Sequence, residues 1–229
     1  MALVARAFLN RWMGDTPDDT RSSSEYAPTI GAMQDQRAEQ ASASREFCTP
    51  IDLTHLLVRV SGALAAYCDR SEHSEGADRE VITAEARQLR RLAVDFSRSA
   101  GFDLQALYAD RLAGIESRHP AFSDGMYDGA EAVRRSKSWS EMQSAQYRHD
   151  LTYHPDVLGL AKWDQVRHYT LHIAKLAMLA LNATDDAKSG ANWESFLAHR
   201  LPDVLIFGIK LSTVTGEKLT DCASLDQYA

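Results

Sequence analysis

A chain of 229 residues, 45% apolar and 25% charged, can build one substantial core or two small halves sharing one, and is too rich in apolar residues for wholesale disorder. Its net charge of −7 excludes an extended nucleic-acid-coating surface and leaves room only for a local basic pocket. Three cysteines, Cys48, Cys68 and Cys222, are odd in number and lack metal-ligand spacing, which points to reduced thiols in a cytoplasmic protein.

The N-terminal "MALVARAFLNRWM" is apolar, but Arg6 and Arg11 interrupt any signal-peptide core, so a short amphipathic helix is expected there. Residues 14–45 are polar and weakly periodic, the composition of a flexible arm with one helical piece near Ala32 to Ala43. From Pro50 the pattern turns helical. "IDLTHLLVRVSGALAAYCDR" carries Asp52 at its positive dipole end. After the charged loop "SEHSEGADRE", a second helix, "VITAEARQLRRLAVDFSRSA", stops at Gly101, and a third, "FDLQALYADRLAGIESRH", stops at Pro120.

The loop "AFSDGMYDG" precedes a single expected helix over "AEAVRRSKSWSEMQSAQYRHD". The strongest helix runs from about Trp163 to Asn182. Val166, Tyr169, Ile173, Leu176 and Ala180 recur at steps of three and four along it and form a buried stripe. A loop, "ATDDAKSGA", leads to the last helix, which has Trp193 near its start and contains "RLPDVLIFGIKLSTVTGEKL", with Asp203 on a first turn, a kink expected at Pro202 and an end at Gly216. The longest apolar run, "LHIAKLAMLALNA", contains Lys175 and is too short to span a bilayer, so no membrane is expected. Period-two alternation is absent throughout. The fold class is all-α.

Two halves align. "HLLVRVSGALAA" set against "HYTLHIAKLAML" pairs His55 with His168 and Val60 with Ile173. "QLRRLAVDFSRSAGFDL" set against "DVLIFGIKLSTVTGEKL" pairs Gln88 with Asp203 and Gly101 with Gly216. Duplication and shared amphipathicity both account for the match. The chain accordingly divides into an N-terminal helix and arm (1–45), a first helical half (46–122) and a second (123–229).

"RLPDVLIFGIKLSTVTGEKL" resembles the third-helix signature of the all-α nucleoside triphosphate pyrophosphohydrolases, the MazG-like and dimeric-dUTPase-like superfamily. "GFDLQALYADRLAGIESRHP" is similar to that family's last helix. The resemblance implies a helical bundle of two MazG-like halves, completed across chains as a homodimer. It further implies Mg²⁺ held by Glu-x-x-Glu and Glu-x-x-Asp pairs, and a nucleotide or other phosphate-bearing small molecule as substrate. Mg²⁺ suits such pairs because it takes hard oxygen ligands, and a spacing of three stacks two carboxylates on one helix face.

Residue by residue the match is broken. Asp203 stands at the family's aspartate, but Arg200 stands where its partner acid belongs, and His172 and Lys175 replace the acids of the preceding helix. In the first half Glu85 keeps an acid whose partner is Gln88. Asp203, Glu85 and Glu194 are therefore the catalytic candidates, with Asp203 as the metal ligand. His168, His172, Lys175, Arg200, Lys210 and Lys218 are the candidates for binding substrate phosphates.

Competing assignments exist for the same residues. His168 and His172 share a helix face and, with His149, His154 or Asp156 as a third ligand, have zinc-site spacing; the same face suits an anion or plain carbonyl bonding. His149-Asp150 resembles the dipeptide of HD phosphohydrolases, with His119 and Asp203 as partners, although that motif normally opens an apolar helix. Asp203 beside Pro202 also suits a helix cap with no ligand. Two functions remain: a diverged Mg²⁺-dependent nucleotide pyrophosphohydrolase, or a catalytically silent helical module that binds a nucleotide or a partner protein.

Overall fold

The computed structural model describes residues 49–73, 78–119, 126–185 and 190–219. The expected N-terminal helix and arm, Cys48 and Cys222, and the middles of the three expected loops lie outside them. Eight helices and no strand form among the described residues: α1 Pro50–His73, α2 Arg79–Ala100, α3 Leu104–Glu116, α4 Gly129–Arg135, α5 Trp139–Tyr153, α6 Pro155–Leu158, α7 Lys162–Asp185 and α8 Gly190–Thr215. The protein is all-α.

Local chemistry sets the helix starts. Asp78, Asp103 and Asp128 each accept a backbone N–H of the first turn of α2, α3 and α4. At α1, Thr49 Oγ1 accepts from the Asp52 N–H while the Asp52 carboxylate accepts from the Thr49 N–H at 3.0 Å, a reciprocal cap. That carboxyl is held below its ordinary pKa by the Thr49 hydroxyl and N–H.

The segment expected as one helix over 130–150 is two. Ser138 accepts from the Glu141 N–H at 3.2 Å and Glu141 accepts from the Lys137 N–H at 2.6 Å, so a cap opens α5 where the sequence pattern runs on. Ser136 Oγ turns back to the Ala132 carbonyl and closes α4.

Four long helices make the bundle: α1 packs on α7, α2 on α8, α7 on α8 and α1 on α2. The segments aligned with each other in sequence are thus the ones that pack together. Their burial is also in register. Leu53, Leu57, Val60, Leu64 and Tyr67 form the buried stripe of α1, and the aligned positions of α7 bury Val166, Thr170, Ile173, Ala177 and Ala180. Leu89, Ala93, Val94, Phe96 and Ser97 of α2 correspond to buried Val204, Gly208, Ile209, Leu211 and Ser212 of α8.

The helix ends correspond too. Gly101 and Gly216 both take the left-handed conformation, at φ 70° and 73°. In each case the glycine and its successor return N–H groups to carbonyls of the last turn, closing the helix in the same motif.

At the α2–α8 crossing, Gly208 lets the helices approach. A Cβ there would lie 2.8 Å from Arg90 Cγ and 3.2 Å from the Ala86 carbonyl. Arg90 then reaches Ser212 and Glu217 at the far end of α8. Between the two helix pairs, α3 to α6 form an excursion in which α3 and α5 pack on α8 and α4 bridges them.

By length and composition α1 could cross a membrane; 33% of its apolar window is buried, the stripe of Leu53, Leu57, Val60, Leu64 and Tyr67 facing neighbouring helices.

Candidate functional site

Under the excursion, α3, α5, α6, α7 and α8 enclose a cleft of about 570 Å³, in the range of small-molecule sites. Arg111 and Arg118 come from α3 and the turn after it, Lys175 from α7, and Arg200 and Lys210 from α8. These five cations face three carboxylates, Asp150, Asp156 and Asp203, with His119, His154, His168 and His172 among them. Even with every histidine neutral the lining is positive, in a chain whose net charge is −7. Low-dielectric walls concentrate such a field.

α8 begins at Gly190, so Asp203 lies in the helix interior, and the N-terminal cap expected for it is not its role. The residue is 7% exposed. Its Oδ1 accepts from Arg111 Nε at 2.5 Å, and Oδ2 lies 3.6 Å from Arg200 Nη1. Its expected partners His172 and Lys175 line the same cleft, but the close contact comes from Arg111 on α3. That arginine is 92 positions away and was not singled out from the sequence.

The other buried acid is Asp150. Its Oδ1 accepts from Lys210 Nζ and from Gln146 Nε2, both at 2.9 Å, and Gln146 in turn bonds the buried Tyr108 hydroxyl. Burial alone would push this carboxyl up. Lys210, helped by His149, outweighs that and leaves it below the ordinary value. The same Lys210 sits 5.7 Å from the Tyr169 ring centroid and 5.8 Å from that of Phe207. The Lys210 side chain is 12% exposed, so it is held in the cleft wall and not solvated.

His168 and His172 lie with ring centroids 4.7 Å apart, and His172 stacks on Phe207 at 5.0 Å. Burial lowers both pKa values, helped by Lys210 for His168 and by His168 and Lys175 for His172. Each is a neutral donor–acceptor near pH 7. Burial and then Lys210 push His154 down to about 4.

Of the nine candidates, Asp203, His168, His172, Lys175, Arg200 and Lys210 line one cleft, and Glu85, Glu194 and Lys218 do not. Glu85 on α2 is buried and pairs with Arg59 of α1 at 3.5 Å, with burial raising its pKa against that cation. Glu194 is exposed on the first turns of α8, and Lys218 is exposed past its end.

The donor set does not fit Mg²⁺. Both oxygens of Asp203 face guanidinium groups, Lys210 and Gln146 hold one oxygen of Asp150, Glu85 and Glu194 are off the cleft, and Asp156 is the one further carboxylate in the lining. A hard dication needs several carboxylate oxygens free to ligate it.

The His149-Asp150 dipeptide is buried in the last turns of α5, 1% and 3% exposed, and does not open an apolar helix. Asp150 shares the cleft with His119 and Asp203.

Comparison with known proteins finds no family model, no curated protein and no solved structure that matches this chain.

Proposed function

We propose that the chain is a helical module that binds a phosphate-bearing small molecule, a nucleotide or a related compound, in the cleft between α3 and α8. The observation that carries this is the convergence of Arg111, Arg118, Lys175, Arg200 and Lys210, from separate helices, on one positive cleft of an acidic protein. Arg118 and Lys175 form no ion pair with any described residue, so their charge is available to a ligand. Arg200 is only loosely engaged at 3.6 Å.

His168 and His172 supply neutral hydrogen-bonding groups beside these cations, and half-buried Phe207, stacked on His172, adds apolar surface to the wall. The resemblance to MazG-like enzymes is kept here for a bundle of two helical halves. It is set aside for Mg²⁺-dependent pyrophosphate release, because Asp203 and Asp150 are paired with cations, Glu85 and Glu194 lie elsewhere, and Asp156 alone is no Mg²⁺ site. A homodimer in the cytoplasm accompanies this function. Leu171 and Met178 support the dimer, since they leave apolar side chains 72% and 55% exposed on α7.

The test is calorimetric titration with inorganic phosphate, pyrophosphate and ATP, without metal, of the wild type and of Arg118→Ala and Lys175→Ala. Saturable binding weakened by both variants is expected. Absence of binding by all three ligands sinks the proposal. The same protein incubated with mixed nucleoside triphosphates and Mg²⁺ or Mn²⁺ should release no pyrophosphate, and release would restore the enzyme.

A further inference from the structure

His149 is 1% exposed, and neither Nδ1 nor Nε2 has a hydrogen-bond partner; among the described residues no other buried side-chain nitrogen or oxygen is left so. A buried imidazole with both nitrogens unmet is costly and calls for a missing partner. Asp150 and His154 offer one. The ligand atoms of His149, Asp150 and His154 all lie within 4.8 Å of one another. We propose that these three side chains bind a divalent transition metal of the Zn²⁺ kind at the wall of the cleft.

The donor chemistry selects the metal. Two imidazoles and one carboxylate match Zn²⁺ and its borderline neighbours and suit Mg²⁺ or Ca²⁺ poorly. Ligand atoms around a tetrahedral ion at ~2.1 Å stand roughly 3.4 Å apart, so the set must close by up to about 1.4 Å. His154, the least buried of the three, follows the end of α5 and has room to make that move.

The surroundings of His149 orient it. Glu116 Oε1 lies 3.7 Å from Nε2 and is fixed by accepting the Gly129 and Ala130 N–H groups at 2.9 and 3.1 Å. Carboxylates thus flank both ring nitrogens, with Asp150 Oδ1 3.6 Å from Nδ1; an ion bound between Nδ1 and Asp150 would leave the proton on Nε2, facing Glu116. Lys210 and Gln146 both engage Oδ1, and Oδ2 takes part in none of these contacts. Asp150 and His154 line the cleft, which gives an ion a path in and leaves its fourth position facing the cavity.

The metal site does not depend on the anion-binding proposal, and the tests separate them, because phosphate binding is read without metal. Full-length chain stripped with a chelator is titrated with Zn²⁺, and with Co²⁺ as a spectroscopic probe of nitrogen and oxygen ligands. One equivalent per chain is expected, with His154→Ala weakening affinity on the order of 100-fold or more and His172→Ala leaving it unchanged. If far-UV circular dichroism shows the alanine variant unfolded, His154→Gln carries the same expectation. No bound Zn²⁺, equal affinity in the His154 variant, or loss confined to His172→Ala would overturn the assignment.

Discussion

Arg111 on α3 and Asp203 on α8 meet at 2.5 Å, and this contact joins the excursion to the bundle on the floor of the cleft. Arg111 is the tighter of the two cations on Asp203, with Arg200 at 3.6 Å on the other oxygen. Arg111→Ala should therefore cost more than Arg200→Ala, about 2 kcal/mol against under 1, because it leaves a nearly buried carboxylate with only a loose partner. Urea denaturation of both variants decides; equal losses would mean that Arg200 takes over the pair.

Lys210→Met leaves Asp150, which is 3% exposed, without its cation. The expected loss is about 3–5 kcal/mol at neutral pH. The sign of the pH dependence should also reverse. In the wild type the depressed Asp150 pKa contributes stability above the ordinary carboxylate value and loses it as pH falls. In the variant burial dominates and raises the pKa, so stability should recover on acidification. Melting curves across acid pH, compared between the two proteins, would show this crossover or its absence.

His168 and His172 have folded pKa values below 6.5, with Lys175 beside them on α7 and Lys210 and Asp203 facing from α8. For such groups the folded state holds full stability above the unfolded value and loses it as pH falls through the folded one. Without ligand the melting temperature should drop between about pH 7 and pH 5. A bound anion favours the protonated rings, so phosphate should bind more tightly over the same range. Affinity that is flat with pH would place the anion away from both rings.

Three glycines should behave differently on substitution by alanine. Gly101 has open space for a Cβ but a positive φ, so Gly101→Ala costs about 1 kcal/mol of backbone strain alone. Gly208→Ala places a methyl 3.2 Å from backbone atoms of α2 and should cost more, about 2 kcal/mol or above. Gly62, exposed within α1 with nothing near, should gain roughly 0.5–1 kcal/mol. Thermal melts of the three variants give this order or refute it.

The bundle was legible because its signals are local. The α7 stripe of Val166, Tyr169, Ile173, Leu176 and Ala180 is buried as its spacing required, and Gly101 and Gly216 end helices because only glycine adopts their φ without strain. The break between α4 and α5 was also written in the sequence, as Ser138 three residues before Glu141, but the apolar periodicity hid it. Asp203 was expected on a first turn beside a kink at Pro202, whereas both lie well inside a helix that begins at Gly190.

The cleft was only half legible. His168, His172 and Lys175 share a helix face and announce themselves, whereas Arg111 reaches Asp203 from another helix and no periodicity connects the two. His149 and Asp150 stand in the polar stretch "YRHDLTYHPD", which gives no local sign of burial. They are buried because Lys210, distant in sequence and adjacent in space, supplies the charge that makes an interior carboxylate tolerable.

The packing of α1 on α7 and α2 on α8 has a consequence for how the chain is made. Each of the first two long helices finds its main apolar partner in the last two, so little native burial is available while synthesis is under way. At ribosomal speeds of about 5–20 residues per second, the stretch between the end of α2 and the end of α8 takes on the order of ten seconds to emerge. Through that interval Leu53, Leu57, Leu64 and Leu89 are without their final partners, so their apolar surface is left to water. Because the stripes lie in register, the same arrangement lets α1–α2 pair with the α7–α8 of a second chain, and domain-swapped dimers should increase when many copies are made at once.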